Sequence, residues 1–183
     1  MNKIKSFFLL AILTFSSLQV SAQSNQSKTL PDPRPIYSRS ENQPHIGVLG
    51  GVINTNNTGE NVGEYGLDFG YQPYIPYGLG VEVTRSESAD TNGDNNERTS
   101  LLAKGSYNFG GNSAIIRNSY VGVALGTILR NDNSYFAGGP LLGFDVPVSD
   151  DDKLSLGVNA KYLMIDGTEP DALSVNGAIK YWF

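Results

Sequence analysis

The chain has no cysteine and a single histidine, His45, in 183 residues. The lack of cysteine excludes disulfides, thiolate chemistry, Cys-based metal sites and lipid attached to an N-terminal cysteine. A Ser-His-carboxylate arrangement would have to use His45, which stands at a strand start beside a polar leader and reads as an interfacial polar residue. Neither a Gly-x-Ser-x-Gly elbow nor a His-Glu-x-x-His motif occurs. Basic residues are few, with 13 Lys and Arg against 18 Asp and Glu. Phosphate binding needs clustered cations, so nucleic acid is not an expected partner. Beyond the first two dozen residues no run is long and apolar enough for a membrane helix. A membrane location would therefore require a closed barrel.

The start of the chain has the pattern of a signal peptide over residues 1–22. Lys3 and Lys5 precede a short apolar run, and Val20-Ser21-Ala22 fits a small-residue cleavage site before Gln23. That run is about half the ~20 residues a spanning helix needs. Its removal takes two of the 13 basic side chains and no acid, leaving 11 against 18 acids. Residues 23–44 are polar and broken by Pro31, Pro33, Pro35 and Pro44, which predicts a flexible leader.

Residues 45–183 alternate in hydrophobicity with the two-residue period of strands. Eight runs are expected, at 45–53, 62–72, 78–86, 98–109, 119–129, 134–148, 154–164 and 172–183. Most match the 9–11 residues of a tilted membrane strand. Connectors after odd-numbered runs (54–61, 87–97, 130–133, 165–171) are rich in Asn, Asp, Gly and Thr. Those after even-numbered runs are 73–77, 110–118 and 149–153, and two of these three are tight. Pro140 lies inside the sixth run, where it cannot donate a ladder hydrogen bond, so a bulge at Gly138-Gly139-Pro140 or a break is expected.

The charges sort by face. Glu64, Asp68, Glu82, Arg98, Lys104, Asp145, Lys161 and Lys180 all oppose the apolar parity of their runs. That is four acids and four bases on one side. An Arg or Lys facing lipid at mid-membrane costs ~2–4 kcal/mol, which explains the sorting if the apolar face meets lipid. An eight-stranded barrel has an interior just wide enough for side chains. The balanced signs there predict a lumen filled by a polar network, with Gly66, Gly70, Gly80, Gly122, Gly126, Gly139, Gly143 and Gly157 making room. Tyr71, Tyr74, Tyr77, Tyr107, Phe109, Phe144, Tyr181 and Phe183 gather at one end, and Tyr65, Phe136 and Tyr162 at the other, as an aromatic girdle would.

Metal and nucleotide sites are not expected. The acids of 90–97 have the wrong glycine and glutamate spacing for a calcium loop. Asp150-Asp151-Asp152 reads as a solvated turn, and no phosphate-binding glycine loop is present.

With these features, the chain resembles the small outer-membrane β-barrel family of the OmpA membrane domain and OmpX type. The closing run Val175-Asn176-Gly177-Ala178-Ile179-Lys180-Tyr181-Trp182-Phe183 resembles that family's C-terminal assembly signal, with Gly177, Tyr181 and Phe183 in the matching places. The resemblance implies an all-β, eight-stranded, antiparallel, up-and-down transmembrane barrel in a Gram-negative outer membrane, with both termini periplasmic. Its implied partners are outer-membrane lipid, lipopolysaccharide and the barrel-assembly machinery, and it implies a monomer. Members serve as structural proteins, adhesins, small pores and occasionally enzymes, so the fold leaves the role open. The expected role is non-enzymatic, structural or surface-exposed, without cofactor. The alternatives are a narrow pore and a soluble periplasmic ligand-binding barrel.

Overall fold

The computed structural model describes residues 43–55, 61–74, 76–89, 95–131, 133–167 and 169–183. The expected signal peptide and all but the last two residues of the expected leader lie outside them.

The alternating runs become β1 (Gln43–Thr55), β2 (Asn61–Tyr74), β3 (Tyr77–Ala89), β4 (Asn95–Asn108), β5 (Ser119–Arg130), β6 (Asn133–Pro147), β7 (Leu154–Ile165) and β8 (Ala172–Trp182). Each pairs antiparallel with the next, and β1 pairs with β8 to close the barrel. In the closing seam His45 stands opposite Trp182 and Thr55 opposite Ala172. Closure leaves no free edge, so the ladders can satisfy the backbone polar groups.

β1 begins two residues before the predicted start and takes in Gln43 and Pro44. β3 and β4 run past the predicted limits at 86 and 98. Just beyond those limits Glu87 and Glu97 pair with Arg85, at 2.9 Å and 2.7 Å, and the Tyr65 hydroxyl donates to Glu87 at 3.3 Å. Polar residues prolong the hairpin there, and the Arg85–Glu97 ion pair links β3 to β4 across the ladder in place of apolar contacts.

Pro140 neither bulges nor breaks β6. It stands opposite Val123 in an unbroken register with β5. Toward β7 the pairing lapses at Gly139 and Pro140 and resumes with the same register, Gly138 opposite Met164 and Leu141 opposite Lys161. No residue is inserted. The missing donor is absorbed as a gap in one ladder.

Two connectors show how local chemistry fixes the ends. The β5–β6 turn places Asn131 at φ 47°, the left-handed region that hairpin turns need and asparagine tolerates. In the β6–β7 turn the Ser149 hydroxyl donates to Asp151 at 2.7 Å and the Lys153 N–H does so at 3.2 Å. The Ser149 hydroxyl, then the Lys153 N–H, hold the Asp151 carboxyl below the usual carboxylate range. The β4–β5 connection, expected as an irregular turn, contains a one-turn helix, α1 (Ala114–Arg117).

The outer surface is the apolar parity. Ile46, Leu67, Phe69, Val81, Leu101, Leu125, Leu142, Val158 and Ile179 are all exposed. Tyr77 meets Tyr107 and Tyr107 meets Phe109 edge to face, each at 5.7 Å, and Tyr181 meets Phe183 at 5.3 Å. Five of the eight rings predicted for this end of the girdle, where β1 begins and β8 finishes, thus lie in contact pairs. The Tyr74 side chain lies outside the described set.

Candidate functional site

The interior is built by the opposite parity of every strand. On β2 this parity brings Glu64, Asp68 and Gln72 inside, and on β3 Glu82, Thr84 and Ser86. Arg98 and Ser100 come from β4, Asp145 from β6, Asn159 and Lys161 from β7, and Ser174, Asn176 and Lys180 from β8.

Six of the eight sequence-predicted lumen charges form one connected network. Lys104 donates to Asp68 at 2.6 Å and to Glu82 at 3.1 Å. Lys161, almost wholly buried, reaches from β7 to the other oxygen of Glu82 on β3. Lys180 donates to Asp145 at 2.8 Å and lies 3.6 Å from Asp68. Three ammonium groups thus interleave with three carboxylates, the arrangement that offsets desolvation of each ion.

The other two charges stand apart. Glu64 accepts neutral hydrogen bonds, from Thr84 at 2.8 Å, from Asn176 at 2.8 Å and from Ser174. Arg98 is buried toward the end of the barrel where β1 finishes and β8 begins, and its Nε and Nη2 have no hydrogen-bond partner among the described residues. It faces Arg130 across the β4–β5 ladder, and Arg130 pairs with Glu169.

The structure corrects two expectations. His45 is not interfacial. Its ring points inward, Nε2 lies 3.4 Å from Asp68, and the Trp182 ring sits 4.2 Å away. Gly70 makes this possible, because a Cβ there would fall inside the His45 ring. Gly143 likewise leaves the space that the Tyr120 ring fills. The second correction concerns the interior wall. Leu102, Ala124, Ile128, Ala137, Leu141 and Leu163 form an apolar cluster inside the barrel, with Tyr120 and Ile165 against it. The polar network therefore shares the lumen with an apolar core, and β4, β6 and β7 contribute side chains to both. β5 signals this in sequence, since its inward positions Tyr120, Gly122, Ala124, Gly126 and Ile128 carry no charge.

His45, Trp182 and Tyr120 are the site residues that charge sorting missed. Parity could have found Trp182, which shares a face with Lys180. The Trp182 Nε1–H donates to Ser155 at 3.1 Å. As Trp182 is the chain's one tryptophan, emission of the folded protein is expected to be blue-shifted and protected from iodide, and to shift red in denaturant. A red, iodide-quenched emission in the folded state would contradict its inward placement.

A cavity of about 60 Å³ lies among His45, Asp68, Lys104, Asp145, Lys180 and Trp182. Ligand pockets for drug-sized molecules run to ~300–1,000 Å³, so this one is water-scale. Among the described residues no cluster of three or more His, Cys, Asp or Glu side chains is arranged to hold a metal ion.

No protein-family model matches the chain, and no curated protein matches it. Solved structures do. Neisserial surface protein A is 13% identical, covers 79% of this chain and 98% of its own, and superposes with a TM-score of 0.60. Ail, the attachment invasion locus protein of Yersinia pestis, is 11% identical over 79% of this chain and 100% of its own, with a TM-score of 0.49. The outer membrane protein OprG from Pseudomonas aeruginosa is 13% identical over 80% of this chain and 99% of its own, with a TM-score of 0.46. The likeness to Neisserial surface protein A concerns the fold, which in this chain is a closed eight-stranded antiparallel β-barrel.

Proposed function

We propose that the chain is an integral outer-membrane β-barrel with a structural or surface-exposed role and a lumen closed to solutes. One observation carries this reading: the charges of the strands face inward while the outer surface is a continuous apolar belt. Among the described residues the outward charges on strands, Arg85, Glu87 and Glu97, gather at the end opposite the termini. A soluble ligand-binding barrel needs the reverse, an apolar interior pocket and a charged exterior. Lipid is the solvent that this surface fits.

On this reading the termini are periplasmic and the belt contacts phospholipid on one side and lipopolysaccharide on the other. The barrel-assembly machinery engages Gly177, Tyr181 and Phe183, whose faces are directed outward on or beside β8. The mature protein is a monomer and is non-enzymatic, its histidine packed between Asp68 and Trp182. A narrow pore is the second reading, favoured by the cavity among Asp68, Lys104 and Lys180.

The test pairs fractionation with conductance. The protein is expected in the membrane pellet, with heat-modifiable migration on gels and no discrete current in planar bilayers. Unitary conductance steps would replace the closed lumen with the pore. Release by osmotic shock would overturn the membrane placement.

A further inference from the structure

The turns at the terminus-bearing end differ in chemistry. The β6–β7 turn is acidic and polar, Ser149-Asp150-Asp151-Asp152-Lys153. The β4–β5 connection instead carries α1, in which no residue is buried. Ile115 is 71% exposed and Ile116 52%. These are adjacent aliphatic side chains held outside the barrel.

They are held there by the turn's own bonds. The Arg117 N–H donates to the Ser113 carbonyl at 2.9 Å and the Asn118 N–H to the Ala114 carbonyl at 3.2 Å. The Ser119 hydroxyl donates to the Ile115 carbonyl at 2.7 Å. The backbone is thus satisfied locally, and neither isoleucine is needed to close the connection. In water two such side chains forgo the gain of burial. The aromatic row Tyr77, Tyr107 and Phe109 leads from the barrel wall to this connection. Arg117 follows the two isoleucines at once, supplying a cation at the turn.

We propose that this connection is a lipid anchor. Ile115 and Ile116 enter the headgroup–acyl boundary of the adjacent leaflet, and Arg117 meets its phosphates. The occupant is the phospholipid surface because the exposed isoleucines continue the apolar belt through its aromatic rim, and short apolar segments with a neighbouring cation suit that boundary. The proposal rests on the membrane reading above. It adds a leaflet-specific hold on one side of the barrel, which the acidic β6–β7 turn does not share.

The cysteine-free chain permits an unambiguous test. Single variants Ile115→Cys, Leu125→Cys and Asp151→Cys are labelled with an environment-sensitive fluorophore. They are then refolded into phosphatidylcholine–phosphatidylglycerol vesicles, with folding checked by heat-modifiable migration. Leu125 is an exposed belt position within β5, and Asp151 lies in the acidic turn. The label at 115 is expected to lose quenching by aqueous iodide and to be quenched by nitroxide lipids labelled near the headgroup. The label at 125 should respond to deep nitroxides, and the label at 151 to iodide. Iodide quenching at 115 with deep-nitroxide quenching intact at 125 overturns the anchor alone. Protection from iodide at 115 without nitroxide quenching points to a protein contact and also overturns it. Iodide quenching at 125 overturns the membrane reading and the anchor together.

Discussion

Glu82→Ala is expected to lower the unfolding free energy of the refolded barrel by about 3–5 kcal/mol. Glu82 joins Lys104 to Lys161, and Lys161 is almost fully buried. Removing the carboxylate leaves an ammonium group in the lumen without its counter-ion, and that desolvation is not repaid. Lys161→Ala strands the carboxylate in the same way, though Lys104 still reaches it. The double substitution Glu82→Leu with Lys161→Met removes both ions and fills the volume, so it should recover most of the loss. Urea titration in lipid vesicles, followed by Trp182 emission, measures all three. Equal losses in the single and double variants would mean that packing, not charge pairing, holds this part of the lumen.

The second large effect lies on the other face. Leu125→Arg should cost about 2–4 kcal/mol if the belt sits in hydrocarbon, because the guanidinium meets lipid at mid-strand. Leu125→Ala should cost far less, since Leu125 is half exposed and leaves no packed cavity. The pair is informative because a water-facing Leu125 would accept arginine with little change. The measurement is again the urea midpoint in vesicles. A neutral Leu125→Arg would remove the main physical support for the lipid-facing exterior.

Strand order and facing were legible because both follow from a period of two. The alternation of Tyr65, Leu67, Phe69 and Tyr71 with Glu64, Gly66, Asp68 and Gly70 assigns each residue a side, whatever the distant partner. Partner choice was not legible in the same way. Glu82 meets Lys161 across the lumen, and that contact depends on how far the strands stagger when the barrel closes. His45 escapes the parity rule because it stands at a strand start, where sequence alone does not say whether the ladder has begun. The structure starts β1 at Gln43, which puts His45 within the pairing and on the inner parity. At Pro140 the sequence predicts a bulge or a break, whereas β6 keeps its register and gives up pairing on one side only. Charge sorting does not reach the apolar inner wall, because the inner positions of β5 from Tyr120 to Ile128 carry no charge to sort.

The closing seam has a consequence for assembly. The contacts from Glu64 on β2 to Ser174 and Asn176 on β8, and from Asp68 on β2 to Lys180 on β8, reach across β1 and join the first hairpin to the last strand. They can form only as β1 and β8 meet. A barrel still open at that seam would therefore leave Glu64 without two of its donors and Lys180 with Asp145 alone, in a low-dielectric interior. Partly zipped species are penalised, and closure is favoured by bonds that the first hairpin and the last strand make only with each other.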